Sequence, residues 1–176
     1  MVDFVKQFAA GEEAAKTLKL AGSFDRVVFC GVGGSIIPAE MIVMLQLSGL
    51  NCYLNRTFGL PNWVNKQCLV ICTSWSGQSK ETNSSFMAAV EAKIPLVVIT
   101  RGGQLSELAR EHSVPCLILP DDSLPARLAV GYMLSTLLTL LERSAIITGN
   151  PVSSLSFATA APTPIAGLAA RIAEKT

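Results

Sequence analysis

The chain has 176 residues, which is enough for one domain with a substantial hydrophobic core. Its formal net charge at pH 7 is +1 and the charges are spread along the chain, which excludes a basic surface for nucleic acid and a charged tail. Because 50% of the residues are hydrophobic and only 15% are charged, we expect part of the apolar surface to be covered in an oligomer, such as a homodimer.

The sequence shows neither a signal peptide nor a membrane span. The N-terminus lacks the successive basic, apolar and small-residue regions that direct secretion. The longest apolar stretch, 128–141, is interrupted by polar residues and is shorter than the roughly 18 apolar residues that a membrane span needs. We therefore expect a cytoplasmic protein with no membrane or nucleic-acid partner.

The cysteines form an odd-numbered set without the spacing of metal ligands. Most of them lie in apolar segments, where a free thiol packs like a small hydrophobic side chain. We expect buried, reduced thiols and neither a metal nor a cofactor. The five residues are Cys30, Cys52, Cys68, Cys72 and Cys116.

Short apolar segments alternate with segments of helical periodicity along the chain. In chain order, strands are predicted over residues 26–30, 52–55, 68–73, 96–100 and 116–119. Helices are predicted over residues 4–20, 39–47, 81–93, 105–112 and 126–144. Strands that are apolar throughout are typical of a parallel sheet covered on both faces. The pattern predicts a three-layer α/β sandwich with a five-stranded parallel sheet of the flavodoxin-like type.

The segments near the C-terminus differ in character from the rest. The helix predicted over 126–144 is apolar nearly all round, so we expect one side to pack on the sheet and the other on a partner subunit. Residues 148–164 are rich in Gly, Ser, Thr and Pro and are interpreted as a linker, followed by a short amphipathic helix over 165–175. The predicted domain therefore comprises residues 1–147.

A glycine-rich turn follows the first predicted strand. Residues 31–35 read Gly-Val-Gly-Gly-Ser, and glycines let a backbone approach a ligand closely. Ile36 replaces the last glycine of the dinucleotide-binding fingerprint, and the Gly-Lys-Ser/Thr of a Walker loop is missing. A nucleotide-binding flavodoxin-like domain is therefore only a distant alternative.

A serine-rich turn follows the third predicted strand and precedes a helix. Its backbone N–H groups converge where the helix begins, and the helix dipole favours negative charge at that point. Ser74, Ser76 and Ser79 add neutral hydroxyl donors that suit phosphate oxygens. A plain turn with a helix cap would use the same residue types. Together with the glycine-rich turn, this loop would form a crevice for a phosphate and its attached sugar.

These motifs resemble the sugar isomerase (SIS) domain. The resemblance rests on residues 31–35, on the Ser-x-Ser-Gly-x-x-x-Glu-Thr motif at 74–82 and on residues 101–105, and it covers roughly residues 22–144. With Pro125-Ala126-Arg127, the chain is similar to the N-terminal half of the bifunctional phosphoglucose/phosphomannose isomerases.

The resemblance implies roles for individual residues. Ser74, Ser76 and Ser79 would hold the sugar phosphate, with Ser79 at a position where the family often has Thr. Gly33, Gly34 and Ser35 would line the sugar. Arg127 would act in catalysis by stabilising the developing enediolate. The residue pattern alone does not decide between that role and a structural one. In the structural role, Arg127 is a cation at the start of a helix and its side chain extends to solvent.

The residues that would move protons are the main departure from the family pattern. Isomerisation between an aldose and a ketose needs a base between C1 and C2 and an acid/base group for ring opening. In the family, a second SIS domain supplies a Glu, a His and a Lys, and parts of the site cross the dimer. This chain is expected to end where that second domain would begin. His112 is interpreted as a surface or cap residue, and Glu81 and Glu40 as carboxylates in first helical turns.

Two hypotheses of function follow from this pattern. The first is a sugar-phosphate isomerase domain that binds hexose 6-phosphates and works through a cis-enediol, incomplete without a second SIS half. That reaction would interconvert glucose 6-phosphate or mannose 6-phosphate with fructose 6-phosphate. The second is a sugar-phosphate-binding module without chemistry, in a sensor or a regulatory subunit.

Overall fold

The computed structural model describes residues 4–44, 51–120 and 123–146. The linker and the C-terminal helix predicted within 148–176 lie outside the described residues. The helices are α1 (Phe4–Ala15), α2 (Ile37–Met44), α3 (Lys80–Glu91), α4 (Gly103–Glu111) and α5 (Val130–Arg143). The strands are β1 (Arg26–Cys30), β2 (Cys52–Asn55), β3 (Cys68–Ser74), β4 (Leu96–Thr100) and β5 (Cys116–Ile118). Short 3-10 turns at Gly33–Ser35 and Ala126–Leu128 complete these elements.

The five strands form one parallel sheet in the order β2-β1-β3-β4-β5. All seven residues of β3, the central strand, are buried, as its continuous apolar character predicts. In the sheet, β2 lies on one side of β1 and β3 lies on the other side. The topological switch point therefore lies between β1 and β3, where α/β sheets bind their ligands.

Helices cover both faces of the sheet and complete the three-layer sandwich. Alternate residues of β1, such as Phe29, point into a cluster with α1, α2 and α5. The intervening residues, such as Val28, point into a second cluster with α3 and α4, where Phe86 is fully buried. Burial of a side chain of that size contributes roughly 1.5–3 kcal/mol. The predicted α/β fold with a five-stranded parallel, flavodoxin-like sheet is confirmed.

Helix α5 is buried by its own chain. Its residues from Gly131 to Leu141 are all buried, with the sheet on one side and α1 on the other. At Gly11 of α1 a Cβ atom would lie 2.3 Å from the carbonyl oxygen of Tyr132, so only glycine allows this approach. The Thr136 hydroxyl donates to the Gly11 carbonyl at 2.9 Å. The expectation that a partner subunit covers this side of the helix is therefore wrong, because α1 covers it.

The start of α5 also differs from the prediction. The helix expected over 126–144 is divided into the 3-10 turn Ala126–Leu128 and a helix that begins at Val130. The buried side chain of Gln7 in α1 explains the break: its amide NH2 donates to the Leu128 carbonyl at 2.8 Å, and its amide oxygen accepts the N–H of Gly131 at 3.0 Å. These bonds cap the first turn of α5 from outside the helix.

The state of the cysteines and the length of the helices relate to what the sequence predicts about thiols and membrane spans. All five cysteines are free thiols; Cys30, Cys68 and Cys72 are buried, while Cys52 and Cys116 are half-buried. Within residues 4–44, 51–120 and 123–146, the helices are too short or too polar to cross a bilayer.

Candidate functional site

The loops after β1, β3 and β4 and the turn before α5 meet at one edge of the sheet. Parallel strands end together at their carboxyl ends, so β1 delivers residues 31–35 and β3 delivers residues 75–79 to neighbouring positions. We call residues 74–79 the serine loop, residues 31–35 the glycine turn and residues 124–128 the arginine turn.

The serine loop leads into the N-terminus of α3 without capping it. Ser79 occupies the N-cap position but makes no side-chain hydrogen bond to the helix. Its hydroxyl instead lies 3.1 Å from the hydroxyl of the fully buried Ser74. The N–H groups of the first helical turn are therefore not capped by the Ser79 side chain. Such an uncapped helix start, next to paired hydroxyls, is suited to bind an anion.

Ser76 lies at the exposed tip of the serine loop. Its hydroxyl oxygen accepts the N–H of Gln78 at 3.2 Å, which keeps its O–H hydrogen available as a donor. The next residue, Gly77, has a φ of +68°, a left-handed conformation that favours glycine. The loop is thus closed by short-range contacts that leave donors directed outward.

A pair of glycines after β4 supports the serine loop from one side. The space for a Cβ at Gly77 is taken by the carbonyl oxygen of Gly102 at 1.9 Å, and the space at Gly103 by the carbonyl oxygen of Ser76 at 2.3 Å. The N–H of Leu105 donates to the Gly77 carbonyl at 2.9 Å. The serine loop is therefore fixed against the start of α4 by direct backbone contact.

The glycine turn borders the same crevice on the β1 side. Gly33 has a φ of +57°, and no atom lies within 4 Å of the position that its Cβ would occupy, so its backbone faces open space. A Cβ at Gly34 would lie 2.6 Å from the backbone nitrogen of Arg127. Ser35 is buried, and its hydroxyl accepts the N–H of Trp75 at 2.9 Å. This bond joins the glycine turn to the serine loop.

Arg127 belongs to the arginine turn, which packs directly on the glycine turn. Its side chain is exposed, at the carboxyl edge of the sheet. The indole N–H of Trp75 donates to the carbonyl of Leu124 in the same turn at 2.8 Å. The structure thus brings together all of the residues that the sequence nominated. They are Gly33, Gly34, Ser35, Ser74, Ser76, Ser79 and Arg127.

Of the acid/base residues considered from the sequence, only Glu81 lies beside the serine loop. Glu40, in the first turn of α2, forms a salt bridge with Arg56. His112 is the single histidine of the chain; it is exposed at the C-terminal end of α4, toward the opposite edge of the sheet. Glu81 lies in the first turn of α3, half-buried. These positions agree with the structural roles expected for the three residues.

Two cysteines lie below the site, at the ends of β1 and β3. Cys30 and Cys72 are paired in register and are both buried. Burial raises the pKa of Cys72 well above its usual range, and the neighbouring Cys30 thiol raises it further. Its thiol is therefore protonated near neutral pH and packs as a small apolar group, rather than acting as a nucleophile.

Two contributors were not singled out as site residues from the sequence, Trp75 and the Gly102–Gly103 pair. Trp75 occurs between two serines in an otherwise polar turn, an unusual position for a large aromatic residue. That position is the one signal by which sequence reasoning could have found it. The contact of Gly77 with Gly102 has no local signature, because the two residues belong to different strand–helix units.

Comparison with known proteins identifies relatives by sequence. No protein-family profile matches the chain. It is 31% identical over 144 residues to a bifunctional phosphoglucose/phosphomannose isomerase of Caldicellulosiruptor bescii, covering 81% of this chain and 42% of that protein. It is 36% identical over 141 residues to the Aquifex aeolicus protein of the same name, covering 78% and 42%. The D-glucosamine-6-phosphate 4-epimerase of Sulfolobus acidocaldarius is 31% identical, covering 68% and 38%. The chain thus spans about two fifths of the length of these relatives.

Solved structures share the fold at low sequence identity. A Bacillus subtilis protein proposed to be a phosphosugar isomerase has a TM-score of 0.55 and 19% identity, covering 82% of this chain and 47% of that one. The Vibrio vulnificus NanR protein, solved with ManNAc-6P, has a TM-score of 0.52 and 18% identity, covering 86% and 60%. An Escherichia coli CFT073 protein, solved in complex with a ligand, has a TM-score of 0.54 and 18% identity, covering 86% and 94%.

Proposed function

This chain belongs with the SIS domains of the bifunctional phosphoglucose/phosphomannose isomerases, and we propose that it is the sugar-phosphate-binding part of such an aldose–ketose isomerase. The observation that carries the proposal is the uncapped start of α3 with Ser74, Ser76 and Ser79 beside it, opposite Arg127. The substrates would be hexose 6-phosphates: glucose 6-phosphate or mannose 6-phosphate, and fructose 6-phosphate.

The serine loop would hold the phosphate. A phosphate dianion needs several donors, and the loop offers backbone N–H groups of the first turn of α3 together with the hydroxyls of Ser76 and Ser79. Neutral donors at a helix N-terminus bind an anion without introducing a competing charge. The rigid packing of Gly77 on Gly102 keeps these donors in place before the ligand arrives, which lowers the entropy that binding costs.

The glycine turn and Arg127 would hold the sugar end. The open space at Gly33 allows the substrate to lie directly on the backbone, and Ser35 fixes that backbone to the serine loop. During isomerisation a proton leaves the carbon next to the carbonyl, and negative charge develops on the oxygens of a cis-enediolate. A guanidinium, which stays protonated at all relevant pH values, can stabilise that charge.

The proton-transferring groups would come from outside the described residues. Glu40 is paired with Arg56, and His112 points away from the crevice at the other end of α4. Since the relatives are more than twice as long as the region they share with this chain, a second SIS domain is the source that we propose. The isolated chain would then bind hexose phosphates with little or no turnover.

Exposed apolar side chains support a partner at this edge of the molecule. Phe4 and Leu128 are 48% and 38% exposed, and Phe4 contacts the start of α5 beside the arginine turn. A second SIS domain or a second copy that covered them would stand next to Arg127 and could bring its own acid/base residues to the substrate. Homodimerisation and a cytoplasmic location are parts of the same proposal.

The second candidate is a sugar-phosphate-binding module without chemistry. It is favoured by the positions of Glu40, which is paired with Arg56, and of His112, at the far end of α4. Glu81, the carboxylate beside the serine loop, lies in the first turn of α3, where it interacts favourably with the helix dipole. NanR, which shares this fold, was solved in complex with the sugar phosphate ManNAc-6P. Both candidates share the same binding site and differ in turnover.

Calorimetric titration tests the shared binding step. Fructose 6-phosphate should bind the chain, whereas fructose without its phosphate should not. Ser76→Ala should weaken the binding of fructose 6-phosphate by about 10-fold, since a hydrogen bond to a charged group is worth roughly 1.5–3 kcal/mol. Ser23→Ala, an exposed serine before β1 at the opposite edge of the sheet, is the matched control and should leave the affinity unchanged. If Ser76→Ala bound fructose 6-phosphate with unchanged affinity, the proposed role of the serine loop in phosphate binding would be refuted.

A turnover assay then separates the two candidates. The chain is mixed with a separately produced second SIS domain from a relative, and interconversion of fructose 6-phosphate with glucose 6-phosphate or mannose 6-phosphate is followed. Restored turnover that is lost again in Arg127→Met supports the isomerase. Persistent binding with no turnover in a folded, associated pair supports the binding module.

A further inference from the structure

We propose that Trp75 is a positioning residue that couples the serine loop to Arg127; this inference rests on the proposed function. Trp75 is 3% exposed and contacts four separate segments of the chain, one of which is at Arg101 after β4, whose guanidinium lies over the ring of Trp75 at 5.7 Å from its centroid. Its backbone N–H donates to the Ser35 hydroxyl at 2.9 Å, its indole N–H donates to the Leu124 carbonyl at 2.8 Å, and its ring stacks on Tyr132 of α5. One residue thus joins these segments, through its backbone to the glycine turn and through its side chain to the arginine turn and α5.

The position of Trp75 in the chain makes this link specific. It stands between Ser74 and Ser76, so any movement of the serine loop on binding a phosphate also moves its backbone. The stack on Tyr132 has a ring separation of 5.7 Å and an interplanar angle of 21°, which restricts rotation of the indole. Displacement of the loop is therefore transmitted to the Leu124 carbonyl instead of being absorbed by the side chain.

Besides its packing on Gly34 of the glycine turn, the arginine turn is held by two hydrogen bonds from side chains. Trp75 binds the carbonyl of Leu124 before Arg127, and Gln7 of α1 binds the carbonyl of Leu128 after it. The hydrogen bond from Gln7 fixes the arginine turn to α1. It does not involve the serine loop. Of the two hydrogen bonds, the one from Trp75 relates the turn directly to the serine loop.

Arg127 depends on this support because its side chain is exposed. An exposed guanidinium has many rotamers, so the direction of its approach to a substrate is set by where its backbone stands. The indole of Trp75 makes that backbone position follow the serine loop. A substrate whose phosphate is seated in the loop would then meet Arg127 at its sugar end.

Trp75→Phe is the test variant, because it keeps an aromatic ring beside Tyr132 and removes the indole N–H together with part of the buried ring volume. Two probes separate the ends of the site: inorganic phosphate, and a five-carbon aldonic acid 5-phosphate whose carboxylate resembles the enediolate. The phosphate affinity should stay within about two-fold, and the aldonate phosphate should bind ~10-fold more weakly, as for loss of one buried hydrogen bond. In an Arg127→Met background, Trp75→Phe should cause no further loss. Trp63→Phe, which lies by Tyr53 and Arg26, is the matched control.

The outcomes distinguish this inference from the proposed function. Equal weakening of both probes, or the same loss in the Arg127→Met background, would overturn the coupling and leave Trp75 as a structural residue of the loop. Unchanged binding of both probes by Trp75→Phe would also overturn it, while the proposed function would stand. If the unsubstituted chain bound neither probe, the proposed function and this inference would both be refuted. Amide hydrogen exchange without ligand gives a further readout: exchange over residues 124–128 should rise in Trp75→Phe and not in Trp63→Phe.

Discussion

The contact between Gly77 and Gly102 offers a sharp test of how the serine loop is built, because a matched glycine exists elsewhere in the chain. Gly77 and Gly59 both have a φ of +68°, so alanine is strained at either position. They differ in their surroundings. A Cβ at Gly77 would lie 1.9 Å from the carbonyl oxygen of Gly102, whereas no atom lies within 4 Å of a Cβ at Gly59.

The expected magnitudes follow from these two situations. A left-handed conformation costs an alanine roughly 1–2 kcal/mol, and this is the whole effect that we expect for Gly59→Ala. Gly77→Ala adds a steric term, because real Cβ atoms do not approach a neighbour closer than 3.0 Å and the serine loop must therefore move about 1 Å from the start of α4. Overpacking of this kind costs about 1–3 kcal/mol, so the total for Gly77→Ala is about 2–5 kcal/mol.

Urea unfolding and calorimetry measure both consequences. Gly77→Ala should unfold at lower urea than Gly59→Ala, and it should bind fructose 6-phosphate at least ~10-fold more weakly, since a shift of about 1 Å separates the donors from the phosphate. Gly59→Ala should retain the affinity of the unsubstituted chain. Equal stabilities and equal affinities for the two variants would refute the claim that Gly102 holds the loop in its binding conformation.

The remaining predictions concern α5 and the half-buried thiols. Gln7→Met should lower the free energy of unfolding by about 2–4 kcal/mol, since the Leu128 carbonyl and the Gly131 N–H lose their buried partner; a loss below about 0.5 kcal/mol in urea unfolding would contradict it. Burial raises the pKa of Cys52 and of Cys116 to about 11, so each thiol stays protonated at pH 8 and iodoacetamide should label it slowly. The labelling rate, resolved with the two single Cys→Ser variants, should rise with pH up to about pH 11, and a plateau below pH 9 would refute the assigned burial.

The strands were predictable because their signal is local. Runs that are apolar throughout identify parallel strands covered on both faces, and β1, β2 and β4 begin and end where the sequence places them. β3 extends one residue further, to Ser74, and β5 ends one residue earlier, at Ile118. The flavodoxin-like arrangement was predicted from five strands that alternate with helices.

The helix ends were less predictable because contacts distant in sequence determine them. The helix predicted over 126–144 is interrupted where Gln7, 121 residues away from Leu128, holds the Leu128 carbonyl. Helix α1 ends at Ala15 although its pattern continues to residue 20. The predicted partner subunit on α5 was wrong for the same reason, since hydrophobicity shows that a surface is covered but not by which segment.

The site was predictable in its residue types and not in its support. Serines and glycines between a strand and a helix indicate an anion site, and Ser74, Ser76 and Ser79 are clustered as expected. The packing of Gly77 on Gly102 and the bond from Trp75 to Leu124 join segments that no local pattern relates. The chain spans about two fifths of the length of its relatives, and we propose that the catalytic base comes from a second SIS domain.

The central claim is that the serine loop binds the phosphate of a hexose 6-phosphate. The most direct measurement is a titration of the ¹⁵N-labelled chain with fructose 6-phosphate, followed by the amide NMR signals. We expect saturable shifts for the amides of residues 76–82 and of Gly33–Ser35, with one dissociation constant. We expect no comparable shifts with fructose. Saturable shifts confined to the groove between α4 and β5, lined by Arg110 and Cys116, or no shifts at all, would contradict the central claim.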